Sequence, residues 1–593
     1  MDSNIIKKIT MHRGKQVIKL DKIYPIKAEK RENLDITYLI DDEVQTLFMD
    51  VFYANTVEFN AKKDLELTLN LGKGYIAEKD EAFSEIFNRH NGWSGGDGIF
   101  SFNLEDENDQ FDQNKDKKTL FIFGDTFVGK SDEKTHQRFQ PHLMPNNSLA
   151  YYKNKQMDFH INQSDEGNVR AYYEMDAYYD QSGSIARNLI TYDQKENKLN
   201  YLSGYNPKQA ELLFDFHCER TMTHVDIYNY FQDEELYLNK RGLKDIAIYA
   251  GNDKNKLELV KQTEIKPSTG YTSFTKVDLN VSTRYIKIVG LSNYNDASFQ
   301  EGLFGLHQVR FYEGNRLYRD IDVKANSTFT IEQNHAWIWL QDGIVIKDQL
   351  YFIPLVVNTD LSQPEGLQFK ITGTALFKTP VNNKEINPDK RSQKMAPLLV
   401  YKDQSEYLYG AGIMAHTKAA GMVNPDGYIY IYGYKTTMGL REMIVARVKE
   451  ENFEHFDDWT YFNGETFVSD IFESSAILAH VSCELSVSRL NKGPYANKYI
   501  AVFTYDVNTP YVAFAIGDTP YGPFTKPQKI YKTQEKEIFK ETTYTYNAKA
   551  HPHLSNSDDV LVTYNTNTYD FDHNMSNCLI YQPRFIRLKD TEK

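Results

Sequence analysis

Short aromatic or β-branched runs, each closed by Gly, Asp or Asn, recur along most of this chain and commit it to an all-β fold. They occupy residues 120–123, 337–340, 344–346, 350–357, 428–434, 443–448, 499–505, 512–516, 560–564 and 579–588, whereas helical periodicity is scarce. Many are arranged as hairpins. Asp342-Gly343 opens one run, and Asn424-Pro425-Asp426-Gly427 is a turn that opens Tyr428-Ile429-Tyr430-Ile431-Tyr432. The 42 Tyr and 35 Phe suit sheet faces and sugar-stacking platforms better than a bundle of helices.

A chain of 593 residues exceeds one hydrophobic core and predicts two or three domains. Residues 1–75 are mixed and charged, with an alternating stretch at 65–71, and read as a strand-bearing N-terminal extension. Residues 76–186 and 315–593 carry the meander-like runs. Together they hold enough chain for five four-stranded blades, so a five-bladed β-propeller is the expected architecture. Between 187 and 314 the rhythm changes to longer strands at 210–216, 224–230, 244–249, 284–290 and 304–312. That order resembles a discoidin (F5/8 type C) jelly-roll β-sandwich, the fold of many carbohydrate-binding modules, inserted into the propeller. Tyr228, Tyr230, Phe231 and Arg241 are its candidate ligand surface. Whether Ca2+ serves there as a structural ion is left open. The acidic segment 105–118 reads as a solvated loop without functional content.

The net charge of −14 argues against nucleic acid and anionic membranes as partners and leaves a neutral poly- or oligosaccharide easy to accept. Cys218, Cys483 and Cys578 are widely spaced, with neither a CxxC pair nor His at zinc spacing, so no disulfide framework and no metal site is expected. The first residues lack the apolar core of a secretory leader, which reads as cytoplasmic as the chain begins, or extracellular if a leader has been removed. No P-loop or Rossmann glycine fingerprint is present, which disfavours a nucleotide enzyme. The oligomeric state has no signature.

Two aspartates in glycine-flanked turns carry the chemistry: Asp97 in Gly95-Gly96-Asp97-Gly98 and Asp125 in Gly124-Asp125-Thr126. A glycoside hydrolase needs two carboxyl groups, one protonating the leaving oxygen and one acting as base or nucleophile. Asp beside Gly is also an ordinary hairpin element. Glu484, at a strand start, is the candidate third carboxylate, and Asp342 has the same ambiguity with a better turn explanation. Asn146 and Asn147 offer amides suited to sugar hydroxyls, and His551 and His553 flank Pro552 on an extended segment. A His-x-His pair without a third ligand is weak evidence for a metal. Trp93 is the candidate sugar-stacking ring, while Trp337 and Trp339 alternate along a strand.

Trp93-Ser94-Gly95-Gly96-Asp97-Gly98-Ile99-Phe100-Ser101, followed by Leu120-Phe121-Ile122-Phe123-Gly124-Asp125-Thr126-Phe127, resembles the opening of the DUF4185 and DUF5005 families. So do Ser486-Val487-Ser488-Arg489, Thr519-Pro520-Tyr521-Gly522-Pro523-Phe524, His551-Pro552-His553-Leu554-Ser555 and Tyr564-Asn565-Thr566-Asn567. The resemblance implies a five-bladed propeller related to furanoside-cleaving glycoside hydrolases. Some DUF4185-like members are endo-D-arabinanases in which the two opening aspartates are the proposed catalytic pair. It therefore implies catalytic roles for Asp97 and Asp125, a substrate role for Arg489, and a furanose-containing, arabinan-like glycan cleaved without a required cofactor. The insert is closer to DUF5005 than to the arabinan-cleaving members. A noncatalytic carbohydrate-binding protein is the alternative.

Overall fold

The computed structural model describes residues 74–591 apart from 106–108, 113–117, 177–180, 196–197, 334–335, 364–367 and 541. Before residue 74 it describes the backbone of six strands between Lys8 and Asn70. One of these, Glu66–Asn70, lies in the alternating stretch expected to be a strand. The rest of the N-terminal extension lies outside the described residues. As expected, the fold is all-β, with only short helical turns.

Five antiparallel sheets follow one another along the chain. Sheet A runs Phe100–Asn103, Thr119–Phe123, Ser148–Lys153, Gln156–His160. Sheet B runs Gly343–Ile346, Gln349–Phe352, Phe369–Asn382, Ser392–Ala396, with Leu355–Thr359 and Ala336–Trp339 on the near half of its long third strand. Sheet C is built on Leu399–Lys402, Ser405–His416, Tyr428–Thr437 and Leu440–Lys449. Sheet D runs Leu485–Arg489, Tyr499–Thr504, Tyr511–Gly517, Gln528–Lys532. Sheet E runs Thr543–Ala550, Asp559–Thr568, Arg584–Asp590, and takes its fourth strand, Tyr75–Lys79, from the other end of the described chain.

The burial patterns explain why these sheets stack. All six residues of Tyr499–Thr504 are buried, so this sheet is covered on both faces and its sequence reads as an unbroken apolar run rather than an alternation. Each interval between sheets holds its own core. Phe100, Leu120, Phe352 and Phe377 join A to B. Tyr409, Ile431, Leu485 and Phe503 belong to the core shared by B, C and D. Val512, Val560 and Ile586 join D to E, and Phe121, Phe123, Leu561 and Phe585 join E to A. Phe100–Asn103, Gly343–Ile346, Ser405–His416, Leu485–Arg489 and Thr543–Ala550 lie side by side in turn, one strand from each sheet from A through E. His551 Nδ1, just past the first strand of sheet E, meets Ser101 Oγ of sheet A at 2.7 Å.

The segment after sheet A forms a separate sheet in the order Tyr201–Leu202, Gly305–Glu313, Ala210–Asn229, Thr275–Gly290, Asp245–Gly251, Glu258–Glu264. Here the alternation is regular: Ala210, Leu212, Phe214 and Phe216 point into its core and the residues between them do not. Asp322–Ala325 also pairs with Ala210–Asn229. Gln181–Ser184 pairs with Phe329–Gln333, so the chain enters and leaves this unit through adjacent strands.

The acidic segment differs from its reading as a purely solvated loop. Phe111 is buried in the core between D and E, Asp109 Oδ1 meets His553 Nδ1 at 2.5 Å, and Ser557 Oγ donates to Asp112 Oδ2 at 2.5 Å. No helix among the described residues is long and apolar enough to cross a membrane, which says nothing about strands.

Candidate active site

Asp97 follows the strand Asn91–Gly96, and Asp125 lies between Thr119–Phe123 and Thr126–Lys130. Asn91–Gly96 and Thr126–Lys130 pair antiparallel with Gly96 opposite Thr126, which brings the two turns together. The turns then interlock: the Gly124 amide donates to the Asp97 carbonyl at 2.7 Å and the Asp97 amide to the Asp125 carbonyl at 3.3 Å. Two glycines permit this approach. A Cβ on Gly124 would stand 2.5 Å from Asp97 Oδ1, and Gly98 has φ +57° with its missing Cβ facing the Gly124 amide at 3.3 Å. The two Gly-Asp motifs are therefore one structural unit, and both carboxyls are half-buried.

Their surroundings differ. Tyr546 donates its hydroxyl to Asp97 Oδ2 at 2.7 Å, the Tyr581 hydroxyl bonds the same carboxylate, and the Lys549 charge also acts on it. Asp125 has a single side-chain donor, Asn146 Nδ2, at 3.1 Å from Oδ1. Burial, and then the charge of Asp97, push Asp125 up to about 7. Burial raises Asp97 as well, but the two phenols and Lys549 oppose it. With two phenols and a lysine favouring the Asp97 anion and a single amide on Asp125, the donor inventory favours the proton on Asp125. Tyr546 and Tyr581 are themselves held far above the usual phenol range, chiefly by burial, and so act as neutral donors.

Glu484 is buried, forms an ion pair with the equally buried Lys549, and accepts Asn547 Nδ2 at 2.6 Å. Burial raises its carboxyl to about 7 against the pull of Lys549. Lys549 also lies over the Phe100 ring, 4.1 Å from its centroid. A bulge in Thr543–Ala550, between Tyr546 and Lys549, explains how Tyr546, Asn547 and Lys549 all contribute. Asn547 sits there at φ +56°, so the strict up-down alternation of a strand is broken. Sequence reasoning missed Tyr546, Asn547, Lys549 and Tyr581; an Asn inside a strand-like run, being tolerant of left-handed backbone, was the available signal.

The remaining candidates divide. Asp342 accepts the Gly343 amide at 2.9 Å and the Ile413 amide at 2.7 Å. Burial pushes it up to about 7, and it lines a small recess with Asp109, Lys549, Ser101 and His551. His551 is 1% exposed and held between Ser101 and Thr563, with burial keeping it well below its ordinary value and neutral. His553 is buried, with Nδ1 on Asp109. Asn147 is fully buried and exchanges two bonds with the Tyr173 backbone, at 2.7 and 2.8 Å. Arg489 is spent on Asn491 and Asn497 within its own hairpin. Trp93 is 1% exposed, stacked on Phe159 at 4.6 Å and packed against Phe123 at 5.0 Å, and has no free face for a sugar. Exposed rings lie elsewhere: Tyr546 leads to Tyr544 at 5.4 Å and then to Tyr569, stacked at 4.4 Å and 67% exposed.

At the end of the Asn91–Gly96/Thr126–Lys130 ribbon away from the two aspartates, the fold gathers one metal-capable set among the described residues, His90, His136 and Cys578, whose ligand atoms lie within 4.8 Å of one another. Their distance in sequence hid them.

Several solved structures resemble the chain distantly. A candidate hydrolase from Bacteroides ovatus ATCC 8483 is 14% identical over 90% of this chain and 93% of its own, with a TM-score of 0.46. CpGH89CBM32-5 from Clostridium perfringens, in complex with GalNAc-β-1,3-galactose, is 10% identical over 24% of this chain and 90% of its own, with a TM-score of 0.19. The GH43_1 enzyme from Xanthomonas citri complexed with xylose is 13% identical over 43% of this chain and 87% of its own, with a TM-score of 0.20. No curated protein matches the chain. The model of a domain of unknown function, DUF5005, matches residues 80–291 and 307–591, which takes in both aspartate turns, Glu484 and the tyrosines around them. The chain belongs to the DUF5005 family.

Proposed function

We propose that this protein is a glycoside hydrolase in which Asp125 is the general acid and Asp97 the base or nucleophile. The observation that carries this reading is the asymmetry of the coupled pair. Asp97 is surrounded by donors that favour its anion, and Asp125, raised to about 7, keeps a proton to give to the glycosidic oxygen. As the bond to the leaving group breaks, Asp125 releases that proton. Positive charge then develops at the anomeric carbon next to the Asp97 carboxylate, which either attacks it or takes the proton of an attacking water. Glu484 has its oxygens occupied by Lys549 and Asn547, so in this reading it positions the Lys549 charge.

The five sheets are read as the blades of a propeller, closed by the pairing of Tyr75–Lys79 with Arg584–Asp590. The five strands that lie side by side, one from each sheet, then wall an axial site. Tyr569 takes over the stacking role expected of Trp93, because its exposed ring is linked through Tyr544 to the tyrosine that holds Asp97. The unit from about 187 to 314, read as a discoidin-like module, would hold the glycan, and a furanose-containing polymer remains the substrate of choice. The test is reducing-end release from arabinans, fructans and galactans by wild type, Asp97→Asn and Asp125→Asn. We expect turnover on one of these glycans and a loss of about 10²–10⁴-fold in Asp125→Asn with binding intact. Glycan binding by the wild type without any turnover would establish the noncatalytic alternative.

A further inference from the structure

The segments that carry Asp97 and Tyr581 meet a second time at a cluster of nitrogen and sulfur ligands. His90 immediately precedes the strand Asn91–Gly96, which Asp97 follows. His136 sits in the turn after Thr126–Lys130, at φ +61°, with its amide donating to the Asp132 carbonyl at 2.8 Å. Cys578 follows the short helix Phe571–Ser576 and precedes Tyr581 by one turn of chain, and its amide donates to the His136 carbonyl at 2.8 Å. Cys578 is fully buried and in no disulfide.

Cys578 Sγ lies 3.8 Å from His90 Nδ1. The two imidazole rings stack with centroids 5.6 Å apart and an interplanar angle of 26°. All three ligand atoms fall within 4.8 Å of one another. A tetrahedral Zn2+ with bonds of about 2.0–2.1 Å to nitrogen and about 2.3 Å to sulfur sets its ligand atoms roughly 3.3–3.6 Å apart. The contact between Cys578 and His90 is near that value already, and the others, within 4.8 Å, need to close by at most about 1.5 Å to reach it. A second observation points the same way: His136 Nδ1 is buried and has no hydrogen-bond partner, a costly state for a ring nitrogen unless something binds in the cluster it helps to form. Ser131 Oγ lies 2.8 Å from His90 Nδ1, a hydrogen bond that metal binding at this nitrogen would replace. Arg138 donates to the Cys578 carbonyl at 3.3 Å and so holds the backbone that presents the thiol.

We propose that His90, His136 and Cys578 form a binding site for Zn2+ or a similar borderline-soft divalent ion, with water in the fourth position. Bound there, the ion ties the segment bearing Tyr581 to the far end of the strand that leads to Asp97, so it acts as a positioning element and takes no part in bond cleavage. The site stands on its own ligands and does not depend on the glycosidase reading.

The test is titration of the chelator-treated full-length chain with Co2+ alone, followed by absorbance. We expect one equivalent to bind with tetrahedral d–d bands and a thiolate-to-cobalt charge-transfer band, displaced by Zn2+. Cys578→Ser should remove the charge-transfer band, Cys218→Ser should retain it, and His136→Ala, in a partly exposed turn, should weaken binding at least 10-fold while circular dichroism is unchanged. Failure of the wild type to take up one equivalent, or a charge-transfer band that survives Cys578→Ser, overturns the proposal.

Discussion

At the scale of single residues, the proposed chemistry rests on which carboxyl is given hydrogen-bond donors. Asp97 has two phenols and Asp125 one amide. If Asp125 is the acid, kcat/KM falls as pH rises through about 7, because the proton it must donate is lost there. Tyr546→Phe removes a donor to the Asp97 anion, which raises its pKa. The acid-side limb of the profile, set by the base, should therefore move to higher pH while the alkaline limb moves less; full pH profiles of both proteins measure this. Lys549 and Glu484 form a buried pair whose halves are not independent. Lys549→Met leaves Glu484 uncompensated and should cost about 3–5 kcal/mol. Adding Glu484→Gln should recover part of that loss, so thermal melts of the single and double variants should be clearly non-additive.

At the scale of elements, two devices set the site geometry: the interlocked turns at Asp97 and Asp125, and the bulge at Asn547. In the first, the Gly124 backbone lies against the Asp97 carboxylate, with no room for a methyl group. Gly124→Ala should displace Asp97 and lower kcat by about 10²-fold, the scale expected for a misplacement of about 1 Å, while the far-ultraviolet dichroism of the five sheets is retained. In the second, one extra residue lets three side chains of a single strand serve the same site, which regular alternation forbids. The Gly-Asp turns were legible because glycine next to Asp is written in the sequence. The bulge was not, since its position depends on the register with Asp559–Thr568. Trp93 shows the converse error: its place beside Asp97 suggested a platform, yet Phe87, Phe123 and Phe159 enclose it.

At the scale of the molecule, burial of acidic groups links stability to pH. Asp125, Asp342 and Glu484 are each raised to about 7, so between about pH 4 and about 7 the folded chain binds more protons than the unfolded one. Their contribution to stability is complete below the unfolded pKa values and is lost as pH rises through the folded ones. The thermal midpoint should fall from pH 5 to pH 8, and the triple amide variant should flatten that slope in scanning calorimetry. What the sequence determined by itself is local. The all-β class, the turn aspartates and the change of rhythm near residue 187 follow from residue type and spacing, which act within a few residues. What only the tertiary structure decided is long-range. The pairing of Tyr75–Lys79 with Arg584–Asp590, the docking of Asp109 on His553, the tyrosines on Asp97 and the meeting of His90, His136 and Cys578 all join segments remote in sequence. Such contacts depend on how buried faces stack, and the pattern along one strand does not name the partner across the core.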